Sequence, residues 1–154
     1  MMWPTMAVIA TSFIAATAVL AKVVTQHPLL VVVSLDSLHA DDVRPDTMPT
    51  LSRFRDEHAA PPYMRPAFPT KTFVNHHTIA TGLHPEQHGV LDNYMFDRDH
   101  RTMYKTYEQF HYDEAVVPIW IQNENDGDGR YSGVMMWPGS WFPYQGKKTN
   151  ICRR

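Results

Sequence analysis

One cysteine, Cys152, stands in 154 residues, so no disulfide can close within the chain and its stability has to come from packing and hydrogen bonds. A basic excess is missing too: 14 Lys and Arg face 16 Asp and Glu, for a formal net charge of -2. Polyanion binding needs a positive face, so bulk nucleic acid is excluded as a partner class. No Asn-x-Ser/Thr sequon occurs, which removes N-glycosylation as a marker of export. Internal repeats and long low-complexity tracts are absent, which excludes solenoid and disordered classes. What is left, 44% hydrophobic and 19% charged residues, is the composition of one globular domain with a core.

Charge is absent from residues 6–21, where Ala16-Thr17-Ala18 and Val19-Leu20-Ala21 offer the small residues that signal peptidase requires. Residues 1–21 therefore predict a signal peptide, or a signal anchor, since the run is nearly long enough to span a bilayer, with a buried core helix as the third and weakest reading. No Lys or Arg precedes Lys22, so the usual basic flank is missing. The first two readings place the rest of the chain outside the cytosol, secreted or at the cell surface, with membrane anchoring in the second. In an oxidising compartment an odd cysteine such as Cys152 calls for a partner beyond this sequence.

Residues 29–35 (LLVVVSL) form a short apolar, β-branched run that predicts a strand buried on both faces of a parallel sheet. Asp36 follows it, and ligands of open α/β sheets gather at carboxyl ends of strands; Asp36 and Ser37 also suit an ordinary turn. Residues 47–58 predict an amphipathic helix packed through Met48, Leu51 and Phe54. Four prolines in residues 61–70 predict an irregular segment. Residues 72–81 predict a helix ended by Gly82, residues 116–122 begin another, and YSGVMMWPG supplies a second buried strand. This order points to an α/β layer fold.

The stretch FPTKTFVNHH, residues 68–77, places Lys71 and Thr72 where that helix begins. Free N–H groups and the positive end of the helix dipole favour an anion there. The Thr72 hydroxyl is either a helix cap or, activated by a metal ion, a nucleophile toward phosphorus. Asp36 is the acid placed to help it.

Residues 63–97, YMRPAFPTKTFVNHHTIATGLHPEQHGVLDNYMFD, together with the upstream LLVVVSLDSLHAD and the downstream PIW and WPGS, resemble the nucleotide pyrophosphatase/phosphodiesterase family of the alkaline phosphatase superfamily. The resemblance implies an alkaline-phosphatase-like α/β sandwich with a mostly parallel central sheet, incomplete in this chain. It implies hydrolysis of nucleotide phosphodiester or pyrophosphate bonds, or of lipid or choline phosphodiesters in other branches of the superfamily. Thr72 would be the nucleophile and a ligand of a zinc ion shared with Asp36. Asn93 would donate its amide to a phosphate oxygen, Phe73 would stack on the base and Lys71 would attract the phosphates. Two zinc ions serve the complete family site, and the remaining ligands come from segments beyond residue 154. Residues 28–154 are therefore expected to be the amino-terminal part of a catalytic domain, inactive alone, and a non-catalytic binding fragment is the rival reading. The chain departs from the family at Ser37-Leu38-His39, where Gly, an aromatic residue and Arg are usual, and at Val74, where Pro is common; Ser37 is expected to strain the turn after Asp36.

Other patterns are weaker. His84 and His88 have the spacing of two zinc ligands on a helix, but Gly82 and Pro85 predict a loop. His76 and His77 offer a general base or simple packing. Residues 124–129 (ENDGDG) look like part of a calcium loop, but its closing acidic position is Met135, so a polar turn is the better reading.

Overall fold

A computed structural model describes residues 28–104, 108–111 and 113–153. The chain divides into two compact units, Met1–Val33 and Ser34–Arg154. The candidate signal segment lies outside the described residues. Among those described, no helix is long and apolar enough to cross a membrane.

In the first unit, residues 28–33 adopt neither helix nor strand, and Leu29, Val31 and Val33 are exposed. The buried strand expected over residues 29–35 is therefore not formed. A strand exists through hydrogen bonds to a neighbour, and none of the described strands pairs with this segment.

Among the described residues, the second unit holds four α-helices, two short 3-10 helices and two small sheets. Helix α1, Pro49–Glu57, starts with proline at a position that needs no N–H donor. Its expected apolar face is not packed: Leu51 and Phe54 stay exposed while Ser52 is buried. The helix is held by Arg55, which donates to the Val43 carbonyl at 2.7 Å, and Phe54 finds a local partner by stacking on His58 at 4.3 Å. Helix α2, Thr72–Thr81, has the predicted span; Gly82 caps it with φ 72° and donates its N–H to the Thr78 carbonyl. Residues 61–70 form no helix or strand, as their prolines dictate. Helix α3, Pro85–His88, is one turn where a loop was expected, because the His84 and Gln87 side chains make a reciprocal capping box.

Strands β1, Met95–Asp97, and β2, Thr102–Tyr104, pair antiparallel, a hairpin that the sequence reading missed. Its signal was Asp97, whose carboxylate accepts from the Asp99 and His100 N–H groups and from Tyr104 Oη at 2.6 Å. These bonds hold the Asp97 carboxyl well below the usual range, and Asp97 in turn raises His100.

Pro118 caps helix α4, Ile119–Asn125. Strand β3, Gly133–Met135, runs parallel to β4, Ile151–Arg153, in the register Val134 to Cys152. This pair is the part of a parallel sheet that the described residues contain. Strand β3 lies where the second strand was expected, but Met135 is exposed rather than buried. The core joins α2 to α4 through Ala80, Trp120, Ile121 and Tyr144, with Val134, Trp137 and Phe142 packed around them. Of residues 124–129, expected as a polar turn, Glu124 and Asn125 end helix α4 and only 126–129 form the turn; Glu124 turns inward to accept from Ser132 N, Thr149 Oγ1 and Asn150 N, each at 3.1 Å.

The buried face of α2 carries His77, 1% exposed, edge-on to His88 at 4.8 Å and to Phe110 at 4.9 Å. Burial, aided by the neighbouring His88, lowers His77 to about 3. A group whose folded value is depressed binds protons more readily when unfolded, so stability falls as pH drops below about 6.5 toward the folded value. The expected loss is roughly 3 kcal/mol at pH 4. Asp97 adds its own loss only below about pH 4, the ordinary carboxylate range. Thermal melts between pH 7 and pH 4 should therefore lose most of their slope in His77→Phe, a change the site tolerates because His77 Nδ1 has no hydrogen-bond partner among the described residues.

Candidate active site

The turn after residue 35 positions Asp36. Leu38 donates its N–H to the Leu35 carbonyl at 3.4 Å, and Ser37 sits between them with φ 60°. That conformation suits glycine and costs other residues of order 1–2 kcal/mol, so the strain expected at Ser37 is present. Ser37→Gly is expected to raise stability by about 0.5–1 kcal/mol after glycine's extra chain entropy is deducted, read as a higher urea midpoint at unchanged slope.

Across from Asp36, α2 begins with Lys71 as its cap residue and Thr72 as its first helical residue. No side chain of Lys71 or Thr72 closes the helix end in the usual way. The Thr72 hydroxyl points instead to Asp36, with Oγ1 3.4 Å from Oδ2. The capping role is taken by a residue from another segment: Asn93 Oδ1 accepts the Phe73 N–H at 2.9 Å. With Oδ1 committed as an acceptor, Nδ2 is the end of the Asn93 amide left to donate.

Two supports hold these parts: Gln109, which the sequence reading did not name, and Asn75, to which it gave no role. Gln109, fully buried, donates through Nε2 to the Asp92 carbonyl at 3.4 Å and the Asn93 carbonyl at 3.2 Å. Asn75 accepts the Ala67 N–H at 2.7 Å and donates to the carbonyls of Ala67, Pro69 and Lys71, which fixes the approach to α2. An Asn inside a helix that serves the preceding loop was the available signal.

Lys71 and Phe73 are partly engaged. Lys71 Nζ lies 3.8 Å from Asp92 Oδ1, an exposed pair, so part of its charge is offset before any anion arrives. Phe73 packs against Phe110 at 5.5 Å, and this partner covers one side of its ring. His84 and His88 do not converge on a metal: His88 Nε2 bonds Thr78 Oγ1 and its Nδ1 accepts the Val90 N–H.

The oxygens of Asp36 and Thr72 fit one zinc ion. Two oxygens bound to a tetrahedral zinc at about 2.0–2.2 Å stand about 3.3–3.6 Å apart. The observed 3.4 Å falls in that span and is long for an O–H···O bond. Two donors do not make a site, and among the described residues no group of three or more His, Cys, Asp or Glu could hold a metal ion. Asp36 and Thr72 by themselves are two oxygen donors, fewer than the roughly four that a zinc ion takes.

Comparison with known proteins gives one consistent answer. The family model described as Type I phosphodiesterase / nucleotide pyrophosphatase matches residues 30–154. Bis(5'-adenosyl)-triphosphatase ENPP4 of Xenopus laevis is 37% identical over 115 residues, 73% of this chain and 25% of the relative. Its Bos taurus counterpart is 38% identical over 119 residues, 75% of this chain and 26% of the relative. The solved structure of human ectonucleotide pyrophosphatase / phosphodiesterase 5 aligns with a TM-score of 0.48 and 34% identity, covering 56% of this chain and 24% of that one. The chain thus spans about a quarter of the length of these proteins.

Proposed function

Because the chain belongs to the type I phosphodiesterase/nucleotide pyrophosphatase family, we propose that it carries the nucleophile half of an extracellular hydrolase of nucleotide phosphodiester or pyrophosphate bonds. The observation that carries this reading is the meeting of Asp36 and Thr72, residues 36 apart in sequence, at the first turn of α2. Thr72 Oγ1 attacks phosphorus and the bond from phosphorus to the leaving-group oxygen breaks, so the remainder of the substrate departs and the nucleotide is left esterified to Thr72; water then attacks that phosphorus, releases the nucleoside monophosphate and restores the hydroxyl. Asp36 accepts the hydroxyl hydrogen and leaves the oxygen richer in electron density. Asn93 donates its amide to a non-bridging oxygen as charge builds there. Lys71 and the helix dipole favour the anion, and Phe73 offers an aromatic ring toward the base. Zinc, when bound, lowers the pKa of a hydroxyl that ligates it and draws charge from the phosphoryl group. Asp36 and Thr72 would hold it, with further donors supplied by the rest of a complete domain.

The test is a chimera in which residues 30–154 replace the matching quarter of the Xenopus laevis triphosphatase. It is expected to hydrolyse bis(5'-adenosyl) triphosphate with added zinc, while the 154-residue chain alone shows no zinc-dependent turnover. A folded chimera without activity would instead assign the segment to the non-catalytic reading. Turnover by the short chain would overturn the conclusion that its donor set is partial.

A further inference from the structure

We infer that Ser34 and His76 form a positioning pair that sets the contact between Asp36 and Thr72; the inference rests on the reading of those two as the reacting pair. Four residues make a ladder of two rungs. Ser34 Oγ meets His76 Nε2 at 2.9 Å, and Asp36 Oδ2 meets Thr72 Oγ1 at 3.4 Å. On one rail, Ser34 and Asp36 are two residues apart in a non-helical segment, which spans at most about 7 Å. On the other, Thr72 and His76 are four apart on one face of α2, about 6 Å along the axis. The spacings match, so both rungs close together, and the shorter one fixes the register of the longer.

The hydrogen-bond chemistry gives the first rung a direction. His76 Nδ1 lies 2.7 Å from the Thr72 carbonyl oxygen, which can only accept, so Nδ1 carries the hydrogen. In the neutral ring Nε2 is then bare, and the Ser34 hydroxyl donates to it. The imidazole cannot swing away. His76 is 8% exposed, the Trp137 ring stands edge-on to it at 4.9 Å, and Trp137 Nε1 donates to the His76 carbonyl at 3.2 Å. His76 is therefore a fixed post that also grips the carbonyl of Thr72 itself.

That post is needed because the Asp36 segment has little else. Residues 34 and 35 lie in no described strand, and the turn that follows is closed by a 3.4 Å bond around the strained Ser37. Ser34 is exposed and touches no reacting atom. It acts through Asp36.

The experiment is NMR on the 154-residue chain. The wild type is expected to show an NOE between the Thr72 methyl group and the Asp36 β-protons, and a His76 ring protonated at Nδ1. Ser34→Ala is expected to reduce that NOE at least twofold and to move the His76 ring toward a mixture of tautomers, whereas Ser34→Thr, which keeps the hydroxyl, restores both. The NOE between the His77 and His88 rings reports the fold and should not change. An undiminished Thr72–Asp36 NOE in Ser34→Ala would overturn the inference, as would joint loss of the His77–His88 NOE, since the pair would then be a folding contact. These readouts need no turnover. An inactive chimera with the expected NOE changes therefore sinks the hydrolase reading while leaving the positioning geometry in place.

Discussion

Thr72→Ala in the active chimera lowers kcat by at least about a thousandfold, the expected scale when the group that makes the covalent bond is removed. The structure gives reasons why nothing nearby replaces it. Thr72 is the first residue of α2, and among the hydroxyls, Ser34 is held on His76, while Thr78 and Thr81 lie on later turns and are bonded to His88 and to the His77 carbonyl. Substrate affinity should change much less. The anion-favouring features of the helix start remain in the alanine variant: Asn93 still accepts the Phe73 N–H, and Lys71 stays beside Asp92. The distinguishing result is thus a collapse of kcat with KM within about tenfold, measured by steady-state kinetics. Equal losses in Thr72→Ala and Thr72→Ser would argue against a nucleophile, since serine keeps the hydroxyl. The absence of nucleotidylated enzyme in rapid-quench samples of the parent chimera would count against the covalent step.

The second large effect concerns folding. Gly139→Ala is expected to cost about 2–5 kcal/mol, a large part of the 5–15 kcal/mol that typically holds a domain together. An added Cβ would meet Phe110 Cδ1 at 2.7 Å, Tyr144 Oη at 2.8 Å and Phe110 Cγ at 3.0 Å. Both neighbours are buried, Phe110 at 2% and Tyr144 at 3% exposure, so neither can give way. Tyr144 Oη also donates to the Gly139 carbonyl at 2.9 Å, and moving the ring would break that bond. Overpacking alone costs about 1–3 kcal/mol, and φ +82° adds the left-handed penalty of about 1–2 kcal/mol. Gly82→Ala separates the two causes. Its φ is also positive, at +72°, but nothing lies within 4 Å of the added Cβ, so only the backbone penalty remains. Urea unfolding of both variants is the measurement. Equal losses would show that the crowding around Gly139 relaxes without cost.

Helix α2 was legible because its signals are local. Apolar spacing sets its span, and Gly82 ends it through a backbone conformation that other residues resist. The existence of α4 was legible from its apolar run, but the polar run expected to close it supplies its last residues, since the helix continues to Asn125. Ser37 was legible as strain because a positive φ after Asp36 is a property of one turn. Residues 29–35 were misread for the opposite reason. Their β-branched composition expresses a preference for a pleated surface, but a strand needs a partner, and no described strand provides one. The packing expected of Leu51 and Phe54 failed likewise, since periodicity marks an apolar face without supplying what covers it.

The sequence by itself determined the family, the helix that carries Thr72, and the acid and the amide worth watching, Asp36 and Asn93. Tertiary structure alone decided what those side chains do. It turned the Thr72 hydroxyl from a cap toward Asp36, gave the capping role to Asn93, set Asp92 against Lys71, and placed Gln109, Ser34 and His76 as supports. Each of these contacts joins residues between 16 and 42 positions apart. Local propensity acts over a helical turn or so, whereas the partner of a polar side chain is set by which segments the core brings together.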